Sequence, residues 1–452
     1  MARKLFGTDG VRGRANEGSM TPEVAFALGS ALAYQAKRRV RHQPRIVIGK
    51  DTRVSCYLFE YALCSGICAT GGRVMLTGPL PTPAIALLTQ SMRADAGIVI
   101  SASHNPYYDN GLKVFGSDGF KLPDESEEEL ERLMESDELL RARSKGVHIG
   151  TAERIEGARG RYVQFVKSTF PTDLTLEGLS IVVDAAHGAA YATAPEVFAE
   201  LGANVHAIGV RPNGKNINDQ CGAVHPDNCA NQVKRRKADI GIAVDGDADR
   251  VVLIDEKGKE VNGDALIALC ATRMLRNGKL RKKTVVTTVM SSIGLEHAVA
   301  REKGKLLRVG VGDRYVVEAM RRQGLNFGGE QSGHLIFLDH ARTGDGMIAA
   351  LQVLEIILRE QRPLSELAAE VIEHVPQVLL NISLSTKKPL EELPKTRASI
   401  RAAEHKLDGD GRVLVRWSGT EPKLRILVEG PDKRQIDTLA HEIAKVAERE
   451  VG

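Results

Sequence analysis

The sequence predicts an α/β protein: three related α/β domains with mixed, mostly parallel sheets, followed by a smaller C-terminal α+β domain. Three observations predict it. Short apolar runs bounded by turn residues alternate with helix-like segments over most of the chain, the pattern of strands joined by crossover helices. Ala94-Asp-Ala-Gly-Ile-Val-Ile-Ser101 is matched by Ala238-Asp-Ile-Gly-Ile-Ala-Val-Asp245, and Gly324-Leu-Asn-Phe-Gly-Gly-Glu-Gln-Ser-Gly333 reads as a third, degraded copy, so one strand-and-loop unit is repeated. At 452 residues the chain is also longer than one hydrophobic core ordinarily serves.

Thr21-Pro22 opens the first helix, with Thr21 as N-cap and Pro22 at the first helical position. Arg45-Ile-Val-Ile-Gly49 is a strand whose exit is Lys50-Asp-Thr-Arg53. A helix-like run reaches Gly71-Gly72, Val74-Met-Leu76 is the next strand, and Pro79-Leu-Pro-Thr-Pro83 leads into a third helix. The strand Ala96-Gly-Ile-Val-Ile100 then delivers Ser101-Ala-Ser-His-Asn-Pro106, a polar turn where α/β domains place their ligands. An acidic helix over Asp124–Glu138 precedes a basic connector around residues 141–160. The pattern restarts with strands at Leu179–Asp184, Asn204–His206 and Ile240–Val244, separated by a helix near Pro195–Leu201 and a Gly/Asn-rich loop over Asn213–Gly222. The tail reads as strand Val378–Leu384, helix Ala398–His405, two strands flanking Trp417–Pro422 and a last helix Lys433–Glu450. The expected divisions are 1–155, 156–256, 257–370 and 371–452.

Composition excludes several classes. Sixty-two basic residues against 58 acidic ones leave a net charge of only +4, and aromatics are 4%, so nothing global favours nucleic acid. Basic runs such as Lys37-Arg-Arg-Val-Arg41 and Lys234-Arg-Arg-Lys237 sit at helix ends, where the macrodipole favours them. No apolar run is long enough to cross a bilayer, and the first residues lack the apolar segment of a signal peptide. The six cysteines form no CxxC pair, which fits reduced thiols in a cytoplasmic protein.

The strongest chemical signal is Asp245-Gly-Asp-Ala-Asp249. In an extended loop, period two would put all three carboxylates on one side. Three crowded carboxylates repel unless a hard divalent cation neutralises them. The comb is not an EF-hand, because Arg250 occupies the place of the required glycine and the flanks read as strands. Mg²⁺ commonly works with phosphate oxygens, and a phosphorylated serine would bring it about −1.5 to −2 charges. Arg12, Arg53, Lys113 and Arg250 are the candidate cations to balance such a group. Arg416-Trp-Ser-Gly-Thr-Glu-Pro-Lys-Leu-Arg425, between two strands, offers a phosphate cradle of backbone amides, hydroxyls and guanidiniums. Gly329-Glu-Gln-Ser-Gly-His334 offers groups suited to sugar hydroxyls, with His334 a candidate proton carrier. Asp345 reads as the cap of the helix that begins near Met347.

Together Gly7-Thr-Asp-Gly-Val-Arg-Gly13, Ser101-Ala-Ser-His-Asn-Pro106, Asp109-Asn-Gly-Leu-Lys113, the comb with Arg250, the Gly329–His334 loop and the Arg416–Arg425 loop resemble the α-D-phosphohexomutase superfamily over essentially the whole chain. Val311-Gly-Asp-Arg-Tyr-Val316 and Gln331 are similar to its amino-sugar branch. The resemblance implies four domains around a central cleft. It implies a phosphoryl group on Ser103, chosen over Ser101 with His104 beside it, and Mg²⁺ held by Ser103, Asp245, Asp247 and Asp249. Arg12, Lys113, Arg250 and His334 join Ser103 and His104 as the catalytic set. Glu330, Gln331 and Ser332 would hold the sugar; Arg416, Ser418, Gly419, Thr420 and Arg425 would hold its phosphate. The implied reaction interconverts glucosamine 6-phosphate and glucosamine 1-phosphate through a sugar 1,6-bisphosphate, on the route to UDP-N-acetylglucosamine and cell-wall precursors. The implied partner is a small hexosamine phosphate, with no nucleic acid and no membrane. Relatives of this kind often form homodimers.

Overall fold

The computed structural model describes residues 5–7, 9–417 and 423–451. Four sheets are present among them. The first contains β1 (Val11–Arg14), β2 (Arg45–Lys50), β3 (Arg73–Pro79), β4 (Ala96–Ile100), β5 (Asp109–Gly116) and β6 (Thr151–Arg154) in the order β1-β5-β4-β2-β3-β6. The second contains β7 (Ser180–Asp184), β8 (Asn204–Ile208), β9 (Ile240–Val244), β10 (Val251–Ile254) and β11 (Glu260–Val261) in the order β11-β10-β9-β7-β8. The third contains β12 (Thr284–Thr288), β13 (Lys305–Val309), β14 (Phe327–Gly329) and β15 (Leu335–Phe337) in the order β13-β12-β14-β15.

One motif recurs in all three. Parallel strands β4-β2-β3, β9-β7-β8 and β14-β12-β13 have the same order, and in each the strand that carries the site loop turns back into an antiparallel partner, β5, β10 or β15. The degraded third sequence copy is therefore a full topological copy. Strands covered on both faces need apolar residues throughout, and β4 and β9 are buried at all five positions. This requirement makes their similarity visible in sequence.

Helix signals hold where caps specify them. Thr21 caps helix Pro22–Arg39 by accepting from Val24 N, and Asp345 caps helix Gly346–Glu360 by accepting from Met347 N and Ile348 N. Two expectations need correction. The acidic helix ends at Met134 and resumes as a short turn, Glu138–Arg141. Ser136 Oγ donates to Leu133 O (2.9 Å) and accepts from Glu138 N, substituting a local side-chain bond for the helical one. The connector around 141–160 contains β6, which pairs parallel with β3 and extends the sheet. All four of its residues are exposed, so it carries no apolar alternation to betray it.

The first three sheets share one continuous hydrophobic core that runs from Val47 to Leu367. The C-terminal sheet, β16 (Gln377–Ser383), β17 (Arg412–Trp417) and β18 (Lys423–Glu429), is antiparallel and closes a separate core with helices Pro394–Leu407 and Lys433–Val451. The helix expected over Ala398–His405 is longer at both ends: Pro394 supplies its first turn, and it runs on to Leu407 before Asp408, at φ 45°, ends it. Arg412 anchors this unit to the third. Its guanidinium donates to Val289 O and Ser291 O, each at 2.9 Å, while Nε donates to buried Glu429. Among the described residues no helix is long and apolar enough to cross a membrane, and all six cysteines are free thiols.

The second and third units also meet through a buried polar contact, Tyr162 Oη donating to Asp345 Oδ2 at 2.8 Å. Burial pushes the Asp345 carboxyl up to about 6, against the pull of its Ile348 and Tyr162 hydrogen bonds. Because that value lies above the usual carboxylate range, Asp345 costs the fold stability as pH rises from about 4 to 6. Tyr162→Phe removes a donor from the ionised carboxylate, so the variant should lose about 1–3 kcal/mol above pH 6 and less below, where Asp345 is protonated. Denaturant titration at pH 5 and pH 8 checks this; equal losses at both pH values would count against it.

Candidate active site

Three loops converge, one from each repeated sheet. The first follows β4. Ser101 Oγ donates to Asp51 Oδ2 (2.5 Å) and accepts from Ser103 N (2.9 Å), so its hydroxyl is fully occupied inside the first unit. Ser103 lies in the left-handed region at φ 52°, unusual for a residue with a Cβ, and its Oγ donates across the domain boundary to Asp245 Oδ2 at 2.5 Å. The two serines, equivalent by spacing, are distinct in the structure. His104 Nδ1 lies 3.3 Å from Ser103 Oγ, and burial with the charges of Arg250 and Arg12 pushes its imidazole down to about 4. At neutral pH His104 is uncharged.

Arg53 does not reach the cleft as expected. It is fully buried in an ion pair with Asp51, and its Nη2 donates to Ser103 O (3.1 Å) and Asn105 O (2.5 Å). The carboxylate answers its charge, and the loop carbonyls take up Nη2.

The second loop joins β9 to β10. It is a turn and not the extended segment that period two assumes, with Ala248 at φ 57° and Ala248 N donating to Asp245 O at 3.0 Å. The turn still gathers Asp245, Asp247 and Asp249, whose carboxylate oxygens lie within 4.8 Å of one another. All three are buried. Asp247 Oδ1 and Asp249 Oδ1 have no hydrogen-bond partner among the described residues. Burial, followed by the charges of Asp249 and Asp247, pushes Asp245 up to about 8. Unpartnered buried oxygens and a carboxyl forced toward protonation are what a hard divalent cation would relieve, so the residues fit one.

Lys113, on β5, is buried with Nζ 2.8 Å from Asp247, 3.3 Å from Asp249 and 3.2 Å from Asp9. It backs the comb as a fixed counter-charge. Thr82 Oγ1 also donates to Asp247 at 2.6 Å. Arg12, on β1, pairs with Asp9, and Arg250 Nε lies 3.9 Å from Asp249 Oδ1.

The third loop joins β14 to β15. Glu330 Oε1 accepts from Gly312 N at 2.9 Å, Ser332 Oγ approaches Glu330 Oε2 at 3.3 Å, and Gln331 and Ser332 are exposed. His334 is buried between carboxylates, Nδ1 3.6 Å from Asp249 and Nε2 3.6 Å from Asp313. Burial opposes its charge, but Asp249 and Asp313 prevail and raise its pKa. The imidazole therefore faces the back of the comb.

In the C-terminal unit Arg416 and Arg425 are directly opposed on β17 and β18. Burial and the charge of Arg425 lower the Arg416 pKa, and neither Nε has a partner among the described residues. Two guanidiniums facing each other, with no carboxylate paired to either among the described residues, are suited to a dianion. Ser418, Gly419 and Thr420 lie outside the described residues.

Sequence reasoning passed over Asp9, Lys121 and Asp313. Lys121 Nζ pairs with Asp9 and with Asp313 (2.6 Å), tying the first unit to the third behind the comb. Asp9 and Asp313 do sit inside Gly-flanked stretches that carry the resemblance; Lys121 has only a neighbouring Gly-Phe, a weak signal.

A buried serine hydroxyl bonded to a metal-competent comb, with two opposed guanidiniums on a separate small domain, suits an enzyme of phosphoryl transfer within a bound substrate. The chain belongs to the phosphoglucomutase/phosphomannomutase family: the models for α/β/α domains I, II and III and for the C-terminal domain match residues 3–141, 160–258, 262–375 and 379–446. It is an isomerase of the mutase type. It is 62% identical to the phosphoglucosamine mutase of Sorangium cellulosum, covering 99% of this chain and 94% of that protein. The phosphoglucosamine mutase of Anaeromyxobacter sp. strain Fw109-5 is 58% identical, with coverage of 100% and 97%. The fold is shared with a phosphoglucomutase/phosphomannomutase family protein of Burkholderia thailandensis (TM-score 0.82, 23% identity, coverage 99% and 97%). It is also shared with the N-acetylphosphoglucosamine mutase of Aspergillus fumigatus, solved with GlcNAc-6P and magnesium (TM-score 0.68, 18% identity, coverage 99% and 96%).

Proposed function

We propose that the protein interconverts glucosamine 6-phosphate and glucosamine 1-phosphate, with Ser103 as the phosphoryl carrier. The observation that supports it most directly is the Ser103 Oγ–Asp245 contact at 2.5 Å, which joins the nucleophile's loop to the comb. High identity to phosphoglucosamine mutases over the whole chain supports the choice of sugar. In the forward direction O1 of glucosamine 6-phosphate forms a bond to phosphorus as the Ser103 Oγ–P bond breaks, the O1 proton ending on the freed Ser103 Oγ, which leaves a bound 1,6-bisphosphate. After the sugar turns, its 6-phosphoryl returns to Ser103. Asp245, Asp247 and Asp249, with the phosphorylated Ser103, would hold Mg²⁺, which when bound neutralises charge on the transferring group.

Arg12 and Arg250 flank that group, and Lys113 pairs with Asp247 and Asp249 from behind. His104, uncharged, borders the phosphate without competing for its protons. His334 orients Asp249. Glu330, Gln331 and Ser332 read the sugar, and Arg416 and Arg425, with Ser418, Gly419 and Thr420, grip whichever phosphate is not reacting. The four divisions expected from sequence each supply one loop of this cleft. The same reading assigns the enzyme to the cytoplasm, with a sugar 1,6-bisphosphate as activator and intermediate.

The test compares kcat/KM for glucosamine 6-phosphate, glucose 6-phosphate and mannose 6-phosphate. Glucosamine 6-phosphate should be preferred by about a hundredfold, the range in which a site separates near-isosteric substrates. Equal or better turnover of mannose 6-phosphate would reassign the substrate, and release of inorganic phosphate at the turnover rate would make the enzyme a hydrolase.

A further inference from the structure

The loop Asn213–Gly222 reads in sequence as an ordinary connection, yet it reaches out of the second unit to the phosphoserine loop of the first. Asn218 is buried, at φ 59°, and its Nδ2 donates to Ser103 O (2.9 Å) and Asn105 O (3.1 Å). These are the two carbonyls that Arg53 Nη2 grips from within the first unit. The segment Ser103-His104-Asn105 is thus held by one donor from each side of the domain boundary. Asn218 is itself tethered, its N–H donating to Ala186 O (2.9 Å) just beyond β7. The seam is tight here: a Cβ on Gly246, inside the comb turn, would come within 2.5 Å of Ser103 O.

We propose that Asn218 is a positioning residue for the phosphoryl-transfer step, registering the Ser103 loop against the aspartate comb; this rests on the reading of Ser103 as the phosphoryl carrier. The comb and Asn218 belong to the same unit, whereas Ser103 belongs to the other. Arg53 can hold the loop's internal shape but cannot fix its distance from the comb. A donor carried by the comb's own unit does that, and it still does so once Ser103 Oγ carries a phosphoryl group and no longer donates to Asp245. Ser103 occupies a backbone region that residues with a Cβ enter rarely, so it stays there only while its surroundings over-determine it. Asn218 makes no use of the sugar or phosphate cradle. Its loss should therefore act on the chemical step and leave substrate binding alone.

Two variants test this. Asn218→Gly suits the left-handed backbone and removes only the amide; Asn218→Asp keeps the shape but turns oxygen toward two carbonyls. Both should lower kcat, Asn218→Gly by about tenfold to a hundredfold, the penalty expected when reacting groups lose register, with KM for glucosamine 6-phosphate unchanged. Asn218→Asp should fall further. Single-turnover transfer from phosphorylated Ser103 should slow by the same factor as kcat. Wild-type kcat in both variants, or a raised KM at unchanged kcat, overturns the proposal. If Asn218→Gly melts well below the wild type, Asn218→Asp is decisive on the same criteria. Absence of phosphoryl transfer in the wild-type control would instead sink the functional reading, so the two failures are distinguishable.

Discussion

Ser103→Ala is expected to reduce mutase turnover by at least about a thousandfold, the scale seen when the nucleophile of a covalent mechanism is removed. Among the described residues the hydroxyls of Ser101 and Thr82 are not free to replace it. Ser101 is locked between Asp51 Oδ2 and Ser103 N, and Thr82 Oγ1 is bonded to Asp247. The substitution also leaves Arg53 and Asn218 on the loop carbonyls, so the fold and KM should be preserved. Ser101→Ala is the informative partner. It frees Asp51 and unbinds Ser103 N, at about 1–3 kcal/mol of stability, yet should still accept a phosphoryl group. Intact-mass measurement after incubation with a sugar 1,6-bisphosphate should show one phosphoryl increment on Ser101→Ala and none on Ser103→Ala. The reverse pattern would make Ser101 the carrier.

The second large effect is expected at the comb. Asp247→Ala deletes the carboxylate that Lys113 and Thr82 hold in place and that carries an unpartnered oxygen, Oδ1. Divalent-cation affinity should fall about a hundredfold or more, since even partners of metal ligands contribute tenfold to a hundredfold. Activity should fall with it. Calorimetric titration of Mg²⁺ into wild type and variant reads the binding without relying on turnover. Superimposable isotherms would remove Asp247 from the ligand set. Lys113→Met offers a contrast, because the lysine's charge supports the comb from behind. With that cation gone, Asp247 and Asp249 repel more strongly, so apo stability should fall while added Mg²⁺ recovers part of it.

Much of this site is legible in sequence, for identifiable reasons. The comb stands out because three aspartates within five residues are costly without a partner, and the turn that gathers them does not alter that. The opposed arginines are legible because their strands are short and closely spaced, so Arg416 and Arg425 pair across them. Lys121, Asp313 and Asn218 are not legible. A single charged or amide residue in a loop looks solvated until its partner, 192 positions away for Lys121 and Asp313, is brought beside it. Arg53 misleads for the same reason: nothing local announces that Asp51 and two carbonyls will hold its guanidinium inside the first unit.

The sequence by itself determined the repeated α/β architecture and the kinds of chemistry present, since buried strands must be apolar and clustered charges must be answered wherever the chain goes. Tertiary structure decided where each member of a set sits and what it touches. It separates Ser103 from Ser101 and converts Lys113 and Arg53 from free cations into fixed counter-charges. It also turns His334 toward the comb. Those distinctions depend on contacts at hydrogen-bond or ion-pair distance between residues far apart in the chain, as with the 142 positions that separate Ser103 from Asp245. Such contacts leave no local pattern, and only the packing of one unit against another creates them.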